Sequence, residues 1–108
     1  MTLIELIHYF RSGGNENQFI KENSLDPESE VIEIYMQKPF SFDKEIAFFE
    51  AEKTEGKIEF EFEDSKYYNL MDFYYLHDFI EESRMEQHKN LSNIELAKIF
   101  LNYCLNDG

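Results

Sequence analysis

His77, Asp78 and Glu81 fall within one helical turn, and a histidine four residues before a glutamate can jointly hold a proton or a metal ion. The spacing offers no third ligand, so the trio reads as a solvated helix face. His8 lies on an otherwise apolar helical run and is expected to be half-buried and hydrogen-bonded. His88, beside Lys89, is placed to meet the carbonyls of a helix end. Cys104 falls on an apolar helical stripe and reads as a small hydrophobe rather than a nucleophile. As the single cysteine it also excludes an internal disulfide and a cysteine-type metal site. Gly13-Gly14 stops a helix and opens no phosphate loop. These residues assign no catalytic group, no metal and no cofactor, and the chain is expected not to be an enzyme.

Carboxylates are the abundant groups. Twenty-three acids face ten bases in 108 residues, a formal net charge of −13. A field of that sign slows approach to nucleic acid or an anionic membrane and speeds encounter with a basic protein. Eleven Phe and seven Tyr supply ample apolar surface for a core, so the acidity does not signal disorder. The aromatic runs Tyr67-Tyr68 and Phe73-Tyr74-Tyr75 lack the basic groove that base stacking requires, and suit a core or an interface. The opening MTLIELIHYF is apolar but short, without a basic leader, and no stretch approaches the ~18 apolar residues of a membrane span. These features point to a cytosolic domain, one unit over residues 1–108, without direct nucleic-acid or membrane contact.

The elements that must position these groups have readable edges. Thr2 and Glu5 form a capping box for a helix over 2–12, and Leu3, Ile7 and Phe10 make its apolar stripe. A weaker helical turn covers 17–22 and a turn covers 24–28. Strands are expected over 31–37, 45–53, 57–63 and 66–71, with a loop around Pro39. Ile58 to Glu63 alternates without a fault and predicts a half-buried strand. Asp72 caps a helix over 72–89 with Phe73, Leu76 and Ile80 inward. Ser92 and Glu95 box the start of a helix over 92–105 with Ile94, Ala97, Leu101 and Cys104 inward. The fold class is α+β: a small antiparallel sheet of about four strands with helices on one face.

If Glu55-Gly56 is a two-residue hairpin turn, Glu52 faces Glu59, Ala51 faces Phe60, Glu50 faces Glu61 and Phe49 faces Phe62. Glu50, Glu52, Glu59 and Glu61 then form a two-by-two block extended by Glu63. A second hairpin would set Tyr68 opposite Glu61, and carry Tyr68 and Leu70 onto the acidic face with Tyr67 and Met71 in the core. Opposed like charges cost about 0.2–1 kcal/mol per pair, which favours a role for them over plain solubility. Glu50, Glu52, Glu59, Glu61, Glu63 and Tyr68 are therefore the expected partner-binding residues, acids for steering around an aromatic anchor.

The segment KIEFEFEDSKYYNLMDFYYLHDFIEE, an acidic strand pair running into an aromatic helix, resembles the immunity proteins of bacterial toxin systems, the contact-dependent growth inhibition type among them. It covers about a quarter of the chain and holds no diagnostic motif. The resemblance implies a cytosolic inhibitor that occludes a basic nuclease toxin, its carboxylates standing in for phosphates. The alternatives from other classes are a nucleic-acid mimic that blocks a DNA-binding enzyme, a metal-assisted enzyme using His77 and Glu81, and a homodimer joined through a strand edge.

Overall fold

Thr2 accepts the Glu5 N–H while the Glu5 carboxylate accepts the Thr2 N–H, so the expected capping box starts the first helix, α1 (Leu3–Arg11). The computed structural model describes residues 1–85 and 90–107. Asn15 caps α2 (Glu16–Glu22), after which come β1 (Ile32–Met36) and β2 (Ile46–Glu50). A single turn, α3 (Ala51–Thr54), leads to β3 (Glu59–Phe62), β4 (Ser65–Asp72), α4 (Phe73–Glu82) and α5 (Asn93–Asp107). The class is α+β, a four-stranded antiparallel sheet with the N-terminal and C-terminal helices packed on one face.

Strand order is β2-β1-β4-β3, which overturns the expected hairpin between 45–53 and 57–63. Those segments are β2 and β3, the two ends of the sheet. At the end of β2 the buried Glu50 carboxylate accepts the Asp26 N–H, and the Ala51 N–H makes one last ladder bond, to the Val31 carbonyl, before the chain turns. Ala, Glu and Lys are good helix formers, and Ala51–Thr54 closes a turn ended by Glu55 in the left-handed region at φ 56°. The strand-like alternation of those residues is overridden.

The real hairpin is β3–β4. It pairs Glu59 with Tyr68, Phe60 with Tyr67, Glu61 with Lys66 and Phe62 with Ser65. Its two-residue turn is Glu63-Asp64, both at positive φ (51° and 65°), the mirror-image turn whose twist matches antiparallel strands. The expected register was displaced by two residues, which leaves Tyr68 opposite Glu59 and keeps the faces of the strands.

What the faces carry is different from expectation. Met36 opposes both Ile46 and Tyr68, and Tyr68 opposes Glu59, so Glu59 and Glu61 point to the side of the sheet that the helices cover. That side holds the core, built from Ile32, Ile34, Met36 and Leu70 with Leu6, Phe10, Phe19, Phe73, Leu76, Ile80 and Phe100. A register shift between Ile34 and Tyr35 lets Leu70 and Met71 both turn inward, so Leu70 is core rather than part of an acidic face. The opposite side is aromatic. Tyr35, Phe49, Phe60, Phe62 and Tyr67 meet there with ring centroids 5.1–6.2 Å apart.

Two helix expectations change. α4 ends at Glu82, not 89: the Ser83 N–H bonds to the Phe79 and Ile80 carbonyls, its buried hydroxyl returns to the Ile80 carbonyl, and Arg84 and Met85 make tight three-residue turns. His88 and Lys89 lie outside the described residues. In α5 the buried stripe is Leu96, Ala97, Phe100, Leu101 and Cys104, while Ile94 is exposed.

Candidate partner-binding site

Strand order disperses the six residues expected at the site. Glu50 is 8% exposed and bound into the fold by the Asp26 N–H and by Lys53 at 3.6 Å. Burial pushes its pKa up, but hydrogen bonds from its own N–H and that of Asp26, with Lys53, outweigh this and hold it below the ordinary 4.5. Glu52 rides on α3, its carboxylate accepting the Ser29 hydroxyl at 3.1 Å. The two-by-two carboxylate block therefore does not form. Glu50 and Glu52 lie on one side of the sheet's strand order, Glu59, Glu61 and Glu63 on the other.

The β3–β4 hairpin brings together what remains. Lys57, Glu59, Phe60, Glu61 and Lys66 line a shallow cavity of about 450 Å³. Lys66 pairs with Glu59 at 3.2 Å, and that hydrogen bond and charge raise the lysine's pKa. Tyr68 is half-buried rather than an open anchor, because the Lys38 ammonium lies 4.3 Å from its ring centroid and Phe40 packs at its edge. The exposed apolar groups of this hairpin are Ile58 (76%) and Phe62 (42%), both expected to be inward. They project because β3 is an edge strand whose apolar row lies on the aromatic side, where only Phe60 is sheltered. Lysines at both ends of KIEFEFEDSK, as of KEIAFFEAEK, were the signal of edge strands.

An exposed aromatic pair lies on the helices. Tyr75 and Tyr103 stack at 6.0 Å with hydroxyls 3.2 Å apart, and Tyr75, Asp78, Phe79 and Glu82 line a small depression of about 160 Å³.

The residues singled out for chemistry are placed as follows. His77 lies between Glu16 and Glu81, each ring nitrogen 3.6 Å from a carboxylate, with its ring against Phe10 and Phe73. It sits where α2 meets α4, and Asp78 projects to solvent on the next step of the helix. Among the described residues no three His, Cys, Asp or Glu are grouped to hold a metal ion. His8 is exposed rather than half-buried, with Asn93 at 3.4 Å from its ring. Cys104 is buried and its thiol is pushed up to about 11 by desolvation. No helix among the described residues is long and apolar enough to cross a membrane.

No family model, curated protein or solved structure matches the chain.

Proposed function

We propose that this chain is an inhibitory binding protein of the toxin-immunity type, which docks on a basic surface of a nuclease toxin in the cytosol and covers its active or substrate-binding site. The observation that carries this reading is the edge strand of the β3–β4 hairpin, where the exposed carboxylates Glu59 and Glu61 on one face, with Glu63 in the turn, alternate with the exposed apolar residues Ile58 and Phe62 on the other. Apolar anchors give contact area after water leaves, and the carboxylates, in the field of a chain with net charge −13, steer a basic partner and select against others. The contact residues are accordingly Glu59, Glu61 and Glu63 with Ile58 and Phe62. Glu50 and Glu52 are committed to the fold, and Tyr68 supports the hairpin from beneath Lys38.

A phosphate-mimicking inhibitor would need a long carboxylate array on one surface, and dispersal of the acids of β2 and β3 weighs against it. The deciding experiment is to purify the chain with the basic C-terminal domain of a secreted protein encoded beside it. Formation of a complex that abolishes nuclease activity is expected. Nuclease activity unaltered by a molar excess of the chain defeats the proposal. Loss of inhibition on adding generic duplex DNA would move it to the nucleic-acid-mimic class.

A further inference from the structure

The two edges of the sheet are treated differently by the chain. The start of β2 is covered by the N-terminus: Thr2 bridges to Glu45, the Ile46 N–H bonds to the Met1 carbonyl, and the terminal amine pairs with the Glu45 carboxylate. β3 is the other edge, and among the described residues only β4 pairs with it.

The direction of its free groups follows from the register. Asn69 donates its N–H to the Ile58 carbonyl at 2.8 Å, which makes Ile58 a hydrogen-bonded position of the ladder. Antiparallel pairs alternate, so Phe60 and Phe62 also turn their main-chain groups to β4. Glu59 and Glu61 turn theirs outward. These are the strand's two regular donor and acceptor pairs without a strand to meet.

From this we infer that β3 accepts an extended segment of the basic partner as a fifth strand, with basic residues opposite Glu59 and Glu61 and apolar residues opposite Phe60 and Phe62. The inference rests on the reading of the chain as a binder of a basic protein, and names the segment of that partner which docks. Ile58 and Phe62, exposed on one face of β3, gain a neighbouring row when a strand is added. Charge decides against a second copy of the chain. Antiparallel self-pairing that keeps the faces together sets Glu59 against Glu61, or Glu61 against itself. The same positions welcome lysine or arginine.

The test uses the whole chain and a synthetic ten-residue peptide that alternates lysine and valine. Its controls are a scrambled peptide of the same composition and a glutamate–valine analogue. Amide hydrogen exchange is followed by residue. Without peptide, the Glu59 and Glu61 amides should exchange freely while those of Phe60 and Phe62 are protected. The alternating peptide should protect Glu59 and Glu61, and bind at least about tenfold more tightly than the scrambled one. The acidic analogue should give no protection. Glu61→Pro removes an outward N–H together with the carboxylate but no bond to β4, so it should abolish the effect, where Glu61→Gln only weakens it, while Phe60 and Phe62 stay protected. Equal binding of all peptides, binding without protection at Glu59 and Glu61, no binding, or protection that rises with protein concentration alone each overturns the inference. Inhibition of the toxin domain is scored separately, so the broader reading fails or survives on its own result.

Discussion

Phe49 and Phe60 sit on the two outermost strands of the sheet, yet their ring centroids are 5.1 Å apart. A flat four-stranded sheet would hold its edges about three strand spacings of ~4.8 Å apart. The contact therefore requires strong coiling, and Tyr35 supplies what the edges close over. It is fully buried, its ring 5.6 Å from Phe49 and 6.1 Å from Phe60, and its hydroxyl donates to the Lys57 carbonyl just before β3. The sheet thus has one face packed by helices and one closed by its own curl, and β3 is carried out to a free edge.

This closure makes Phe49 structural and Phe62 dispensable for folding. Phe49→Ala should lower the unfolding free energy by about 3 kcal/mol, because it removes a buried ring at the centre of the cluster. Phe62→Ala should cost under about 1 kcal/mol and act mainly on partner affinity. Urea unfolding of both variants checks the contrast. Equal losses would mean that β3 is held by something other than the aromatic closure.

Glu50 makes stability depend on acid. Its folded pKa lies below the ordinary 4.5, so its contribution is fully present above the unfolded value and disappears as pH falls through the lowered folded one. Glu5 and Glu95, whose carboxylates accept the N–H groups of Thr2 and Ser92 and are lowered for that reason, act in the same direction. The urea midpoint should hold steady near neutrality and decline below pH 4.5. Glu50→Gln should start lower at pH 7 and show a shallower acid decline than the parent.

The carboxylates separated by the strand order should also separate in binding. Glu61→Lys is expected to weaken the complex with a basic partner by on the order of tenfold, and the loss should shrink as salt screens the charge. Glu52→Lys, away on α3, should leave affinity nearly unchanged. Calorimetric titration at two salt concentrations compares them, and equal effects would show that only net charge matters.

Cys104 should be chemically silent in the native protein. With its thiol pushed up to about 11 by burial, little thiolate exists at pH 7.5, and access is limited as well. A chromogenic disulfide reagent should react slowly with the folded chain and promptly once the chain is unfolded.

Several features were legible in the sequence because they are settled within a few residues. The T-x-x-E and S-x-x-E boxes start α1 and α5 through contacts three residues apart, Asp72 caps α4 by accepting the Tyr75 N–H, and the stripe Phe73, Leu76, Ile80 follows from helical periodicity. The α+β class follows from the order of such segments. Strand neighbours are another matter. Alternation in 57–63 says that a strand has two unlike faces, but not which face meets the helices, which strand lies beside it, or whether it lies at an edge. Those answers depend on contacts between residues distant in sequence: Glu50 taking the Asp26 N–H at the end of β2, and Phe49 closing over Tyr35 onto Phe60. The sequence by itself determined the chain's acidity, its elements and their caps. Only the tertiary structure decided that the glutamates of β2 and β3 part company, because strand order is set by long-range packing that no local pattern encodes.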